Sequence, residues 1–171
     1  MRYRGIDFLP VVLLLAGGCG GLEWEKYHSD EGRFSILMPD EPDEESYDAA
    51  TPAGSLPVYA ASVEQDSLLY LVTCADLPEY LSDTAAPEEF LGESQAWGLG
   101  GLQGKVLRDS SVMLGEYPGR TFLLQRPDGA LHRISLYTAG GRLYQVMMSG
   151  PAGIVGGRHA DRFFDSFSID D

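Results

Sequence analysis

Short runs in which hydrophobic and polar residues alternate recur along the chain, and this period of two is typical of half-buried β-strands. The first two runs predict strands at 24–28 and 33–38. Residues 39–57 are rich in Pro, Asp, Glu and Gly, which predicts a loop. Runs at 58–64 and 68–75 predict a hairpin, and both faces of the second run are apolar. That strand is therefore expected at the centre of a sheet, covered on both sides.

Two segments carry the signals of helices. Asp83 or Thr84 can cap a helix whose first turn holds Pro87 and which ends at Gly98. The second helix is predicted at 158–167, where four apolar residues share one face: Ala160, Phe163, Phe164 and Phe167. Four more strands are predicted between the helices, at 105–114, 119–126, 131–138 and 142–149. The order predicts an α+β domain, an antiparallel β-sheet flanked by helices in an α/β/α sandwich.

The N-terminal segment has the pattern of a signal peptide. Arg2 and Arg4 precede an uncharged apolar stretch at 8–16 that is too short to span a bilayer. Ala16, Gly17 and Gly18 then lead to Cys19, which resembles the bacterial lipobox. The resemblance implies that the chain is cleaved after residue 18 and that lipidation of Cys19 anchors it to a membrane. Incorporation of palmitate into the protein would reveal this lipidation.

The predicted organisation is a signal peptide at 1–18, a lipidated cysteine and short linker at 19–22, and a folded domain at 23–171. An ordinary signal peptide is the alternative, and it would give a secreted or soluble periplasmic protein. Cys74 is the other cysteine of the chain. A disulfide between the two cysteines stays open unless Cys19 is lipidated.

Charge narrows the classes of partner. The 171 residues carry a net charge of −14, with 18 acidic against 2 basic residues between Glu23 and Glu93. The segment 94–171 has 7 acidic and 8 basic residues. This balance argues against nucleic acid and against direct electrostatic binding to anionic lipid. The acidic half is expected to be a docking face for a protein partner or a solvated surface.

No set of residues predicts a catalytic site. His28, His132 and His159 are scattered, and none has a second His or a Cys at i+2 or i+4. Ser94 lies in a segment that faintly suggests a nucleophile elbow, but the expected final glycine is missing and the segment is predicted to be helical. We therefore expect a protein that is not an enzyme and has no cofactor, with a secreted hydrolase as a remote alternative.

The acidic stretch at 39–48 is the best candidate for a metal site in the sequence. A Ca²⁺ ion takes oxygen ligands, and four residues of the stretch could supply them: Asp40, Asp43, Glu45 and Asp48. The spacing is not that of an EF-hand, so a solvated acidic loop is the favoured interpretation. A Ca²⁺-dependent binding module using residues 40–48 is kept as an alternative function.

Five phrases of the sequence resemble the PsbP-like proteins of bacteria. They are Trp24, "GRFSILMPDEP" at 32–42, "GEYPGRTF" at 115–122, "GRLYQVMMSGP" at 141–151 and "ADRFFDSFSI" at 160–169. The resemblance implies the sheet-and-helix fold shared with Mog and DcrB, and it implies no catalytic residue. Photosynthetic members are accessory subunits of photosystem II, a role that nothing here supports. The prediction is a lipoprotein of the bacterial cell envelope with an extracytoplasmic, non-catalytic binding or scaffolding domain.

Overall fold

The computed structural model describes residues 24–51, 54–79 and 104–170. In these ranges the strands are β1 (Glu25–Ser29), β2 (Phe34–Met38), β3 (Asp43–Thr51), β4 (Gly54–Gln65), β5 (Leu68–Asp76), β6 (Lys105–Leu114), β7 (Tyr117–Gln125), β8 (Leu131–Ala139), β9 (Arg142–Gly150) and β10 (Ser168–Ile169). Two helices, α1 (Ala152–Val155) and α2 (Arg158–Asp165), lie between β9 and β10. No described helix has the length and apolar character needed to cross a membrane.

The described strands form two antiparallel sheets. The large sheet has seven strands in the order β3-β4-β5-β9-β8-β7-β6, and the small sheet has three in the order β1-β2-β10. Neighbours that follow each other in sequence are joined as hairpins, whereas β9 returns to pair with β5. The two outer strands of the large sheet are therefore β3 and β6.

The main core lies between one face of the large sheet, the small sheet and α2. Alternate residues of β5 from Leu68 to Cys74 point into it, and Tyr70 and Val72 are fully buried. The helix α2 contributes Phe163 and Phe164, and Phe167 is buried just beyond its end. The terminal helix predicted from the apolar spacing is thus confirmed, with Asp165 as its last residue.

A second apolar cluster lies on the opposite face of the large sheet. It consists of buried residues from three strands: Phe122, Leu124, Ile134, Leu136 and Met147. Leu69 and Leu71 of β5 pack against it. The prediction that β5 is a central strand with two apolar faces is confirmed, because β5 pairs with β4 on one side and β9 on the other.

The loop predicted at 39–57 is wrong. Its middle is the nine-residue strand β3, which pairs antiparallel with β4, and β4 begins at Gly54. Local composition did not indicate this strand because its residues are polar and exposed. An outer strand needs only the backbone hydrogen bonds of one neighbour, and charged side chains suit it because they discourage pairing with other chains.

The α/β/α sandwich is an overstatement for the described part of the chain. Strands dominate these ranges, and the helices α1 and α2 both pack on the main core. The helix predicted after a cap at Asp83 or Thr84 and ending at Gly98 lies outside the described residues. The short helix α1 lies between β9 and α2, where no helix is predicted from the sequence. The single predicted sheet is in fact two, because β10 pairs with β2 across a sequence separation that local patterns cannot reveal.

Candidate functional site

Trp24 is the described residue nearest in sequence to Cys19, which itself lies outside the described residues. The Trp24 ring meets the Tyr70 ring edge-on, with centroids 5.6 Å apart, and lies 5.2 Å from the His159 ring. The guanidinium carbon of Arg162 lies 5.2 Å from the Trp24 ring centroid, a cation–π distance. The chain therefore enters the domain at a position fixed against α2.

A partly buried hydrogen bond between two of these rings supports the contact. The hydroxyl of Tyr70 and Nε2 of His159 are 2.7 Å apart. Burial raises the pKa of Tyr70 to about 12, while burial and then the nearby Arg162 lower the pKa of His159. The ring of His159 is accordingly neutral near pH 7, and we assign the hydroxyl as the donor to Nε2. His159 is a packing residue of this junction.

The acidic residues proposed as cation ligands are distributed along and before β3. Asp40 precedes the strand, and its Oδ1 accepts a hydrogen bond from the backbone of Glu41 at 2.8 Å. Because side chains alternate along a strand, Asp43 and Glu45 point to one face and Asp48 to the other. No group of three or more His, Cys, Asp or Glu residues within 24–51, 54–79 and 104–170 is arranged to hold a metal.

His28 lies in a polar cluster that no sequence motif indicated. Its Nε2 is 3.0 Å from Asp30, its Nδ1 is 3.0 Å from Asp170, and Ser35 donates to the same Asp170 carboxylate at 2.9 Å. The pKa of His28 is raised, first by the hydrogen bond with Asp30 and then by Asp170. Both ring nitrogens thus face carboxylates, and Nδ1 also lies 3.3 Å from the Ser35 hydroxyl. That hydroxyl donates to Asp170, and Ser35 is only 2% exposed. The cluster ties β1 to the C-terminal end of the domain.

Two further residues singled out by sequence are described, His132 in β8 and Cys74 in β5, and they do not form a reactive pair because β9 lies between their strands. Burial lowers the pKa of His132, whose Nδ1 has no hydrogen-bond partner in the described part of the chain. Cys74 has a free, buried thiol whose pKa burial raises to about 11, which makes it a poor nucleophile. Ser94 lies outside the described residues.

An open cleft of about 900 Å³ lies at one end of the large sheet. The β4–β5 turn, the β7–β8 turn and the start of α1 form its walls. Its charged lining is Glu64, Asp66 and Asp128, with Arg126 ion-paired to Asp128 at 3.0 Å. These groups can hold a polar ligand by hydrogen bonds. Sequence reasoning missed the cleft because its walls are brought together only by strand pairing.

Comparison with known proteins defines the fold. The chain matches the solution structure of cyanobacterial PsbP (CyanoP) from Synechocystis sp. PCC 6803 with a TM-score of 0.59 and 15% identity, over 92% of this chain and 98% of that one. The described domain is therefore PsbP-like in fold. A Pseudomonas aeruginosa protein of unknown function described as a putative regulator, PA94, matches with a TM-score of 0.36 and 12% identity, over 78% of this chain and 86% of that one. No protein family model matches the sequence, and no curated protein matches it significantly.

Proposed function

We propose that this protein is an extracytoplasmic lipoprotein of the bacterial cell envelope whose PsbP-like domain binds or scaffolds a protein partner without catalysis. Cys19 is the lipidated residue, residues 1–18 are the signal peptide, and residues 23–171 are the working domain. The proposal joins the lipobox-like sequence to the PsbP-like fold. Two or three acyl chains on Cys19 would give stable anchoring, whereas a single chain would be marginal.

The observation that carries the proposal is the fixed position of Trp24, five residues after Cys19. Its ring is held by Tyr70, His159 and Arg162. Five peptide steps reach at most about 18 Å, so a lipid on Cys19 would hold this side of the domain close to the bilayer. A short connection of this kind suits a domain that works at the membrane surface.

A non-catalytic role is supported by the chemistry of the described side chains. Both ring nitrogens of His28 contact carboxylates, and the Ser35 hydroxyl beside the ring is buried and donates to Asp170. The Cys74 thiol is buried with a raised pKa. The exposed β3 strand, in contrast, presents Asp43, Glu45 and other carboxylates that could meet a basic surface on a partner protein. Binding is therefore the function that the domain supports best.

The two cysteines of the chain provide a matched test of the anchor. The full-length Cys19→Ser variant should leave the membrane fraction and lose incorporation of labelled palmitate. The Cys74→Ser variant should keep both, because that thiol is buried in β5. Equal membrane retention of Cys19→Ser and the parent protein would contradict the proposed anchor, and so would palmitate labelling that depends on Cys74.

A further inference from the structure

The outer strand β6 leaves one edge of the large sheet open. It pairs with β7 on one side, and no other described strand pairs with its second side. Its side chains are mostly exposed. Val106, Leu107 and Met113 have exposed fractions of 43%, 47% and 63%, and they are three of the four large hydrophobic residues that are exposed among those described. An exposed outer strand with apolar residues is a template for pairing with another strand.

The two outer strands of the large sheet differ in charge. The strand β3 carries four carboxylates, and like charges across a strand pair are destabilising. On β6 the charged residues are Lys105, Arg108 and Asp109, and Asp109 is already held by Arg120 in two hydrogen bonds of 3.1 and 2.8 Å. Pairing at β6 therefore meets far less repulsion than pairing at β3.

The sequence of β6 is complementary to itself. In KVLRDSSVML the apolar residues occupy both ends and the polar residues occupy the middle. If a second copy is turned by 180° about the middle of the strand, the apolar N-terminal part of each β6 lies beside the apolar C-terminal part of the other. Val106 and Met113 suit this arrangement because both lie on one face of the sheet, opposite Leu124 and Pro118 of β7.

We propose that two copies of this protein associate through antiparallel β6–β6 pairing about a two-fold axis at Ser110, which would join their large sheets into one. The pairing register of β6 with β7 shifts between Val106 and Arg108, so that Leu107 has no partner in β7. With the same irregularity in both copies, Val106 of each copy lies opposite Met113 of the other, and no charge faces a like charge. The two-fold axis makes the contact closed, which is the commonest symmetry of soluble oligomers.

The size of the contact sets the conditions under which it forms. One strand pair buries less area than the roughly 1,600 Å² of a standard interface, so the association is weak in dilute solution. The pairing goes beyond the proposed function and does not require it. An anchor on Cys19 would strengthen the pairing by confining copies to one surface, which raises their effective concentration.

The test is a disulfide at the proposed axis. In directly opposed residues of antiparallel strands the Cβ atoms are about 4.5–5.5 Å apart, and the short end of this range meets the roughly 3.5–4.5 Å that a disulfide spans, so only a small strand movement is needed. Ser110→Cys, made in the full-length protein and oxidised in a whole-cell lysate before the membrane and soluble fractions are separated, should give a covalent dimer on a non-reducing gel. Ser46→Cys is the matched control, because it places an exposed cysteine near the middle of β3 at the opposite edge of the sheet. The parent protein corrects for reaction of Cys19.

A second substitution separates pairing from chance collision. Adding Met113→Lys to Ser110→Cys should reduce the yield of covalent dimer at least fivefold. The two-fold symmetry places one added lysine from each copy in the contact, and a lysine on an outer strand opposes pairing. An equal dimer yield from Ser110→Cys and Ser46→Cys, or no effect of the added lysine, would overturn the pairing. A monomer that stays in the membrane fraction overturns the pairing alone, whereas a soluble cross-linked dimer overturns the anchor alone.

Discussion

Replacing Gly119 with alanine tests how tightly β7 packs against β8. A Cβ atom at this position would lie 2.4 Å from Cδ1 of Tyr137 and 2.6 Å from the carbonyl oxygen of Leu136. The Tyr137 ring cannot swing away freely, because it stacks on Phe167 with centroids 5.8 Å apart and planes 17° apart. The carbonyl oxygen belongs to the backbone of the neighbouring strand and cannot move without disturbing its hydrogen bonds.

The expected loss follows from these two contacts. Overpacking a buried site costs about 1–3 kcal/mol, and we expect Gly119→Ala to fall in the upper half of this range because one contact is to backbone. For a domain of this size each kcal/mol corresponds to roughly 2–4 °C, so Tm should fall by about 4–12 °C. Urea denaturation followed by far-UV circular dichroism gives the free energy of unfolding directly.

Gly153→Ala is the matched control. The same methyl group at Gly153 meets nothing within 4 Å, and the residue lies in α1. Because alanine favours helix over glycine, this variant should be unchanged or more stable by up to about 1 kcal/mol. A Gly119→Ala protein within 0.5 kcal/mol of the parent, on the order of ordinary surface changes, would refute the packing described for β7 and β8.

Two further predictions concern hydrogen bonds. Tyr70→Phe removes the hydroxyl that donates to His159 and leaves a partly buried ring nitrogen unpaired. Urea titrations should therefore show a free energy of unfolding lower by about 1–3 kcal/mol. A variant as stable as the parent would contradict that hydrogen bond. His28 has a raised pKa, so its stabilising contribution is complete below pH 6.5 and is lost as pH rises through the raised value. The Tm difference between the parent and His28→Gln should therefore shrink with rising pH. A constant difference would contradict the interactions of the protonated His28 ring with Asp30 and Asp170.

Elements whose apolar residues recur at strand or helix spacing within one segment were predictable from the sequence. The apolar residues of β5 and the spacing of Phe163, Phe164 and Phe167 show which faces of these segments are buried. Such a pattern can be recognised without knowing which other segments pack against those faces. The PsbP-like resemblance rested on turns and core positions of the same kind, and the TM-score of 0.59 to CyanoP supports that fold.

Features created by distant pairing were not predictable. β3 is a strand because β4 supplies its hydrogen bonds, although its own residues are acidic and exposed. The contact of His28 with Asp170 joins residues 142 positions apart, and no local pattern records such a distance. The alternative Ca²⁺ site placed its four candidate ligands on one predicted loop, but the alternation of a strand directs Asp48 away from Asp43 and Glu45.

Intact mass measurement of the membrane-extracted protein tests the central claim most directly. If the protein is a lipoprotein, the mature chain begins at Cys19, and its mass exceeds that of residues 19–171 by a thiol-linked diacylglyceryl group, with or without a third acyl chain. The Cys74→Ser variant should carry the same addition. A mature chain that begins at another residue, or one that retains Cys19 without any added lipid, would contradict the account.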